Sequence, residues 1–296
     1  MNIVCRPAQP EDTPDVLELT KTIWEGHDYV PEVWDEWLAD NQGQLLVAEL
    51  DGKVLGISKL SRLSPEDWWM QGLRVHPQYE GQGIASQLTD ATLQAWLEIG
   101  SGTVRLGTAS FRLPVQHICS RLGFTKVSEL APFYAPANQS NSSRSEFQLL
   151  AVHEVERAIE FAWLSTSLAL TAGLIDLDWH YASPRTEFLA AAVERKLAWW
   201  WHGREGLLTA RLDEDDELGR APSIELLGCP LEALPQFLLD YRTLAGELGY
   251  SRAAWMAPLH ESLLPTLKAA GFKRVWENSL YIYAKTHPEK PPDSTD

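Results

Sequence analysis

The chain has 296 residues, of which 45% are hydrophobic and 10% aromatic, so it can bury sizeable cores and we expect two domains. Its formal net charge of −16 disfavours a nucleic-acid partner, because phosphates would be repelled at long range. No apolar run reaches the roughly 20 residues needed to cross a bilayer, and the start MNIVCRPAQ has no signal-peptide pattern. We therefore predict a cytoplasmic protein with no membrane partner.

Cysteine usage is sparse. Cys5, Cys119 and Cys229 are odd in number and far apart, which favours neither a disulfide framework nor a metal cluster. We expect reduced, buried thiols and no metal site.

The N-terminal half predicts alternating helices and strands. Pro14 is placed for the opening of a first helix, and Asp51-Gly52 is a strong hairpin signal between two strands. The predicted elements are strand 2–7, helix 13–24, helix 31–40, and strands 44–50, 54–61 and 68–75.

A glycine-containing loop follows the last of these strands, within the run LRVHPQYEGQGIASQL at 73–88. Gly81 and Gly83 let the backbone approach an anion closely, and the N–H groups at a new helix start point toward it. The helix itself is predicted over 84–99 from helical spacing of apolar residues. Those residues are Ile84, Leu88, Ala91, Ala95 and Ile99.

Two other phosphate-binding loops do not fit this loop. A nucleoside-triphosphate P-loop needs Lys and then Ser or Thr after its last glycine, whereas Ile84 and Ala85 follow Gly83. A dinucleotide fingerprint needs a third glycine, which is missing. A turn that only needs small residues remains the alternative.

The downstream elements continue the alternation. We predict strand 103–109, helix 114–122 and a strand from Thr125. The run Gln78, Gly81, Gly83 matches the Q/R-x-x-G-x-G/A signature of the GNAT family of N-acetyltransferases, and Leu122 to Phe124 matches its Leu-Gly-Phe. Over about residues 3–150 the chain resembles this family, which implies a mixed α/β fold that binds acetyl-CoA beside the fourth strand.

The resemblance implies a set of coenzyme-binding residues. Backbone groups of the fourth strand would hold the thioester and pantetheine arm, and the loop would hold the pyrophosphate. The loop carries Glu80 and Gln82 where relatives often carry basic residues, so backbone N–H groups must do most of the holding. The predicted residues are Leu73, Arg74, Val75, Gln78, Tyr79, Glu80, Gly81, Gln82, Gly83, Ile84 and Ala85.

Five basic side chains lie near this segment in sequence and could reach the phosphates, or could be ordinary surface charges. They are Arg74, Arg105, Arg112, Arg121 and Lys126.

Catalytic groups are harder to assign. Gln71 lies on the fourth strand at the position where the family often has a Glu that acts as the general base. An amide there cannot take a proton. Candidates for the base are Glu66 and Asp67 at the start of that strand, His76 at its end, and His27 and Asp28 in the acceptor loop, with an ordinary surface or capping role as the alternative for each. Cys119 occupies the position where the family has a Tyr that acts as the general acid, and Tyr134 is a possible substitute. Proton exchange with solvent is the alternative.

The segment from Gly26 to Pro31, followed by 34–38, resembles the histidine N-acetyltransferases of this family. We predict that an amine acceptor is bound by acidic and aromatic side chains near this segment. A helix that packs its tryptophans inward explains Trp34 equally well. The predicted acceptor residues are His27, Asp28, Tyr29, Trp34 and Gln71.

The C-terminal half repeats the same order of elements, and Gly271-Phe272 echoes Gly123-Phe124. We predict tandem GNAT-like domains: an acetyl-CoA-binding domain at 1–152, a degenerate copy at 153–286 and a flexible tail at 287–296. The copy has Leu227-Gly228-Cys229-Pro230 in place of the glycine pair, so only the first domain is expected to bind coenzyme.

Three local expectations bear on that division. Residues 138–145 read as a polar linker, and 147–152 as the last strand of the first domain. The run at 199–201, three tryptophans, is expected to pack in a core.

The pattern as a whole predicts an N-acetyltransferase that uses acetyl-CoA and a small-molecule amine, such as an amino acid. The alternatives are an acyl-CoA sensor without activity, which the missing Glu and Tyr favour, and a protein N-acetyltransferase. The sequence leaves the oligomeric state open.

Overall fold

The computed structural model describes residues 3–21, 23–139, 144–215 and 219–288. The chain folds into two compact units, and neither is continuous in sequence. Unit 1 comprises Met1–Gly107, Arg112–Thr125 and Tyr283–Asp296, and unit 2 comprises Thr108–Phe111 and Lys126–Ile282. Within the described ranges, no helix is both long and apolar enough to span a membrane.

Unit 1 is built on a mixed sheet whose first five strands lie in the order β1-β2-β3-β4-β5. Its elements, in chain order, are β1 (Val4–Pro7), α1 (Thr13–Thr20), α2 (Val30–Ala39), β2 (Gln44–Leu50), β3 (Lys53–Arg62), β4 (Asp67–Val75), α3 (Ile84–Ile99), β5 (Thr103–Ala109) and α4 (Leu113–Arg121). β5 crosses into unit 2 at Thr108.

The sheet of unit 1 has helices on both faces, because alternate residues of a strand point to opposite sides. Leu45 and Val47 of β2 pack with α1 and α2 around Trp34, whereas Leu46 and Ala48 pack against α3 around Leu88. Strand β2 therefore contributes apolar side chains to the cores on both faces of the sheet.

Several predicted elements are confirmed and some are corrected. The bounds of β2, α3 and β5 are those predicted, and Asp51 and Gly52 both have positive φ, as the hairpin turn requires. The first helix ends at Thr20, followed by a short 3-10 helix at Ile23–Gly26.

The apolar face predicted for α3 is partly wrong. Ile84 and Leu88 are buried, but Ile99 is 52% exposed. The buried face continues instead through Thr92 and Trp96, because steps of four residues follow one side of the helix.

Strand β4 carries a β-bulge at Gly72. In its antiparallel pairing with β3, Gln71 lies opposite Lys59 and Arg74 opposite Ile57, so two β4 residues occupy the span of Ser58 alone. Gly72 has φ +66°, and a Cβ there would come within 2.6 Å of the Trp37 ring. Glycine is thus required by both backbone and packing.

Most of unit 2 lies after Thr125 and starts within β6 (Thr125–Pro136). It continues with β7 (Phe147–Leu149), α5 (Val155–Leu164), β8 (Ile175–Asp176), β9 (Tyr181–Ala182), α6 (Thr186–Glu194), β10 (Ala198–Trp201), β11 (Gly206–Asp215), β12 (Gly219–Gly228), α7 (Leu234–Glu247), β13 (Arg252–Pro258), α8 (Leu264–Ala269), β14 (Lys273–Arg274) and β15 (Leu280–Thr286).

The sheet of unit 2 has the order β7-β10-β11-β12-β13-β6, and β14 pairs with β6. Strands β12 and β13 are parallel, as β4 and β5 are in unit 1. The predicted mixed α/β fold is confirmed, and the order of elements is consistent with a tandem of GNAT-like domains. The 3-10 helix at Thr166–Thr171 and the small β8-β9 sheet were not predicted.

The compact units correct the predicted division at residues 152 and 153. Residues 130–136 of strand β6 pair with β13, and β7 pairs with β10, and these residues lie in unit 2. Residues Tyr283–Thr286 of β15 belong to unit 1, where β15 is the neighbour of β5. Strand pairing, rather than sequence order, decides the units. Most of the predicted tail and the centre of the predicted linker lie outside the described residues.

The tryptophan run is a core feature, as predicted. Trp199, Trp200 and Trp201 in β10 are each at most 5% exposed, and the middle ring faces a different core cluster from its neighbours. Cys119 and Cys229 are buried and Cys5 is half-buried, and all three are free thiols.

We predict that Gly72→Ala lowers the free energy of unfolding by about 2 to 4 kcal/mol, because the new Cβ meets the Trp37 ring and φ is positive. Urea denaturation measures the change. Gly52→Ala is the matched control, since φ is +80° but no atom lies within 4 Å, so it should cost about 1 kcal/mol. Equal losses in the two variants would contradict the packing constraint at Gly72.

We predict that a chain ending at Ile282 loses about 3 kcal/mol or more of stability in unit 1. It lacks the donors Lys285 Nζ to Leu122 O (2.9 Å) and His287 N to Gly102 O (2.7 Å), and the half of β15 assigned to unit 1. A chain ending at Pro288 keeps these bonds and is the control. The same urea midpoint for both chains would refute the role of these residues.

Candidate active site

The cleft between β4 and β5 begins where their pairing ends. The parallel register runs from Asp67 opposite Thr103 to Trp69 opposite Arg105, and β4 then continues to Val75. Among the described residues, no pairing with β5 is present beyond Trp69. The bulge at Gly72 lies in this stretch and turns the strand locally. An extended ligand can therefore lie along the β5-facing edge of β4.

The glycine loop lies at the end of the same strand. Gly81 and Gly83 have φ of +74° and +84°, and a Cβ built on either would meet no atom within 4 Å. The first helical hydrogen bond of α3 runs from Gln87 N to Gly83 O, so the N–H groups of 84–86 precede the helical ladder. The loop thus leaves room for an anion against its backbone.

Local hydrogen bonds shape the approach to the loop. His76 Nδ1 accepts from Gln78 N at 3.3 Å, and the His76 ring meets Tyr79 edge-on at 5.5 Å between centroids. Glu80 N donates to Pro77 O, which closes a short 3-10 turn. Two features therefore fit acetyl-CoA: the cleft for its extended arm and the loop for its pyrophosphate.

Basic side chains near the cleft are paired with carboxylates. Arg74 binds Asp28, Arg105 binds Asp67, and Arg121 binds Asp90, at 2.6 to 2.8 Å. Lys126 belongs to unit 2 and pairs with Glu129, and Arg112, the remaining one of the five candidates, is the N-cap residue of α4. Each of these four paired groups already binds a carboxylate. Backbone N–H groups are therefore the main donors left for a phosphate, as the sequence predicts.

Asp28 and Arg74 form a buried bidentate pair, which joins the loop before α2 to β4. Arg74 Nε donates to Asp28 Oδ2 at 2.8 Å and Arg74 Nη2 to Oδ1 at 2.9 Å, with the Asp28 side chain 1% exposed. The Asp28 carboxylate also accepts from Val30 N. Its role is to hold Arg74, which differs from the predicted contact with an acceptor.

Aromatic rings surround this pair. Arg74 Cζ lies 4.4 Å from the Trp24 ring centroid and 5.3 Å from that of Tyr29, and the two rings stack at 6.1 Å. Tyr29 also meets Trp37 edge-on, and burial raises the pKa of its hydroxyl. We call Trp24, Asp28, Tyr29, Trp37 and Arg74 the Arg74 cluster.

Sequence reasoning missed Trp24, which it placed inside a helix. The residue is 47% exposed with φ +50°, in the 3-10 helix before the His27-Asp28-Tyr29 run. An aromatic residue next to a predicted acceptor loop is the signal that could have found it. His27 itself is exposed.

The structure corrects the predicted role of Trp34 as an acceptor-binding residue. Trp34 is 1% exposed, packs in the core of unit 1, and donates from Nε1 to Thr13 Oγ1 at 2.9 Å. It supports α1 against α2, as the inward-packing alternative states, and cannot contact an acceptor.

Gln71 lies on β4 next to the bulge. Its amide donates to Ser61 Oγ at 2.9 Å, and its β3 partner is the buried Lys59, which pairs with Asp40. Burial lowers the pKa of Lys59, while the Asp40 carboxylate opposes that shift. Gln71 thus places an amide, which is not a base, at this position of β4.

The three predicted catalytic side chains are divided between the units, with Glu66 and Cys119 in unit 1 and Tyr134 in unit 2. Glu66 precedes β4 at its paired end, where its carbonyl accepts from Thr103 N. Cys119 is 1% exposed in α4, and burial raises the pKa of its thiol to about 12, so it is a core residue. Tyr134 lies on β6 in unit 2, with Arg252 Cζ 4.7 Å from its ring centroid.

We predict a coupling free energy of about 2 to 4 kcal/mol between Asp28 and Arg74 in a double-mutant cycle with Asp28→Asn and Arg74→Lys. Both side chains are buried, and Lys cannot reproduce the two parallel hydrogen bonds. Urea denaturation of the four proteins measures it.

The control cycle uses Glu18 and Lys21, whose side chains are 61% and 66% exposed. It should give no measurable coupling, because solvent screens an exposed ion pair. If the Asp28 and Arg74 cycle also gave no measurable coupling free energy, the buried pair would not stabilise the fold as predicted.

Sequence comparisons agree with this geometry. The profile of the Acetyltransferase (GNAT) family matches residues 13–124. Histidine N-acetyltransferase of Oreochromis niloticus is 32% identical over 82 residues, which cover 27% of this chain and 24% of that protein. The protein of that name from Scomber australasicus is 30% identical over the same shares. The match spans about a quarter of the length of these relatives.

Solved structures share the fold over most of the chain. A GCN5-related N-acetyltransferase from Sphaerobacter thermophilus aligns with TM-score 0.62 at 14% identity, over 96% of this chain and 95% of that one. A GCN5-related glucosamine N-acetyltransferase region of a fungal multi-domain enzyme aligns with TM-score 0.67 at 13% identity, over 96% and 38%. The whole chain thus has the mixed α/β GNAT fold, and residues 13–124 are a domain of the Acetyltransferase (GNAT) family.

Proposed function

We propose that unit 1 transfers the acetyl group of acetyl-CoA to the amine of a small molecule, an amino acid in the first instance. One observation carries the proposal: the cleft that opens after Trp69 leads directly into a loop whose N–H groups can hold a pyrophosphate. The family profile over residues 13–124 supports acyltransferase chemistry in the same unit.

In the proposed reaction, a neutral amine attacks the thioester carbonyl. A C–N bond forms, the C–S bond breaks, and the coenzyme leaves as a thiolate. The edge of β4 would align the arm of acetyl-CoA, and the Gln71 amide would help to orient the reacting groups. Glu66 and Cys119 are poorly placed for proton transfer, so protons would pass to and from solvent water.

The Arg74 cluster is the proposed acceptor wall. Trp24 and Tyr29 are 47% and 36% exposed, so their rings offer an aromatic surface next to the bulge in β4. Stacking on such rings suits an imidazole or another planar group. The partial match to histidine N-acetyltransferases supports an amino acid of this kind as the first acceptor to test.

A second candidate is an acyl-CoA sensor without activity. Two observations favour it: Gln71, at the customary position of the basic Glu, cannot take a proton, and Cys119, at the customary position of the Tyr, is buried. A protein N-acetyltransferase is the third candidate, and acetylation of a folded protein in preference to free amines would select it.

We predict that Gly81→Glu weakens coenzyme A binding at least tenfold, because the side chain places a carboxylate and extra volume at the proposed phosphate position. Isothermal titration with coenzyme A measures the affinity. Gly249→Glu is the matched control, since φ is +85° with no atom within 4 Å, and it lies in unit 2. Equal affinities in the two variants would exclude the loop as the phosphate site.

Thiol release from acetyl-CoA across free amino acids, polyamines and amino sugars then separates the candidates. Release that needs an acceptor and is lost in Gly81→Glu establishes the enzyme and its substrate class. Tight binding of coenzyme A without release on any free amine or protein selects the sensor.

A further inference from the structure

Trp24 has a backbone conformation that large side chains rarely adopt. Its φ of +50° lies in the left-handed region, and the residue is 47% exposed. His27 N donates to Trp24 O at 3.1 Å, which closes the turn at this residue. A non-glycine residue in this region costs free energy that other contacts must offset, and such residues concentrate at ligand sites. The position of the ring is therefore set by its contacts rather than by local backbone preference.

The contacts of Trp24 lie on one side of its ring. Arg74 Cζ is 4.4 Å from the Trp24 ring centroid and 5.3 Å from the Tyr29 ring centroid, and the two centroids are 6.1 Å apart. These three distances enclose an acute angle at Trp24, so Arg74 and Tyr29 approach the ring from the same side. Since nearly half of Trp24 is exposed, the opposite face of the ring is left for a ligand.

Each nitrogen of the Arg74 guanidinium already donates a hydrogen bond. Nε and Nη2 donate to Asp28, and Nη1 donates to Leu73 O at 3.2 Å. The Arg74 side chain is only 10% exposed, and the Trp24 ring lies against it. Arginine binds a carboxylate best through two parallel N–H groups, and Asp28 already occupies that edge. The Arg74 cluster thus presents a ring, and not a guanidinium edge, to an acceptor.

The guanidinium also changes what the exposed face of Trp24 can bind. A cation is attracted to an aromatic ring by the negative charge of its face, and Arg74 already uses that attraction. A second cation on the opposite face would meet a ring whose π electrons are drawn toward Arg74. A neutral planar group keeps its stacking contacts with the same face, because these depend on area and shape.

A chain of contacts ties the Trp24 ring to the edge of the cleft. Tyr29 meets Trp37 edge-on at 6.0 Å between centroids, and Trp37 packs 2.6 Å from where a Cβ would lie at Gly72 in the bulge of β4. Arg74 itself follows the bulge on the same strand. A group stacked on Trp24 is therefore held close to the strand that would align the arm of acetyl-CoA.

We propose that Trp24 determines acceptor specificity: its exposed face selects amines that carry a neutral planar ring and discriminates against cationic side chains. The inference rests on the proposed acetyl transfer in unit 1 and narrows its substrate class. It opposes the simplest expectation for a chain with a net charge of −16, which attracts cations at long range.

Two pairs of acceptors test the proposal by thiol release from acetyl-CoA. Phenylalanine and cyclohexylalanine have similar size, but only phenylalanine has a planar π face. Histidine methylated on one ring nitrogen is neutral at about pH 8.5, whereas histidine methylated on both is a permanent cation. We expect kcat/KM to favour phenylalanine about fivefold and the neutral methylhistidine about threefold or more.

Trp24→Leu removes the π face but keeps an apolar side chain, so both ratios should fall to about one. Trp24→Phe restores a planar face and should keep the preference for phenylalanine. Trp179→Leu is the matched control, since Trp179 in unit 2 is 50% exposed with φ +63°, and it should leave both ratios unchanged. Isothermal titration with coenzyme A should give the same affinity in Trp24→Leu, which shows that this variant is folded.

Binding of the same four amines to the chain loaded with coenzyme A, measured by saturation-transfer NMR, makes the test independent of turnover. If no amine supports thiol release, acetyl transfer to small amines is refuted, and the binding ratios still decide the role of Trp24. Equal binding of phenylalanine and cyclohexylalanine, tighter binding of the doubly methylated cation, or ratios that persist in Trp24→Leu would each overturn the proposal.

Discussion

The separation of β4 from β5 is the constraint on which the candidate active site depends. Two parallel strands that paired along their whole length would satisfy each other's backbone groups and leave no edge for a ligand. Here the pairing stops at Trp69, and the bulge at Gly72 bends β4 while keeping its pairing with β3. The Trp37 ring packs where a side chain at residue 72 would lie, so the bulge is fixed by the core of unit 1.

An acidic protein that binds an anionic coenzyme must keep repulsion away from the phosphate site. The buried ion pairs of unit 1 do this by matching carboxylates with guanidinium groups: Asp28 with Arg74, and Asp67 with Arg105. Pairs of this kind contribute little net charge to the cleft. Backbone N–H groups, which have no counter-charge to lose, then become the main attraction for a phosphate. Such a site should be less sensitive to salt than one built on lysines.

Local signals predicted much of the fold, and non-local contacts account for most errors. Asp51-Gly52 and the glycine loop before α3 act through backbone conformation, which the residue type itself limits, so both were found. Gly72 carried a similar signal, because an isolated glycine within a strand often marks a bulge. The Asp28–Arg74 pair spans 46 residues, and its partners could not be joined by sequence spacing. The predicted domain division failed for the same reason, since β6 finds its partner β13 more than a hundred residues later.

The assignment of Tyr283–Thr286 to unit 1 has a consequence for synthesis. A ribosome that has made residue 125 must add almost 160 more before the strand next to β5 exists, which takes on the order of 10 to 30 s. Until then β5 has an open edge, which is a site for mispairing with other nascent chains. The high sequence separation of this contact also makes it a late and slow step in folding. The N-terminal unit therefore reaches its final state only after the C-terminal unit has been translated.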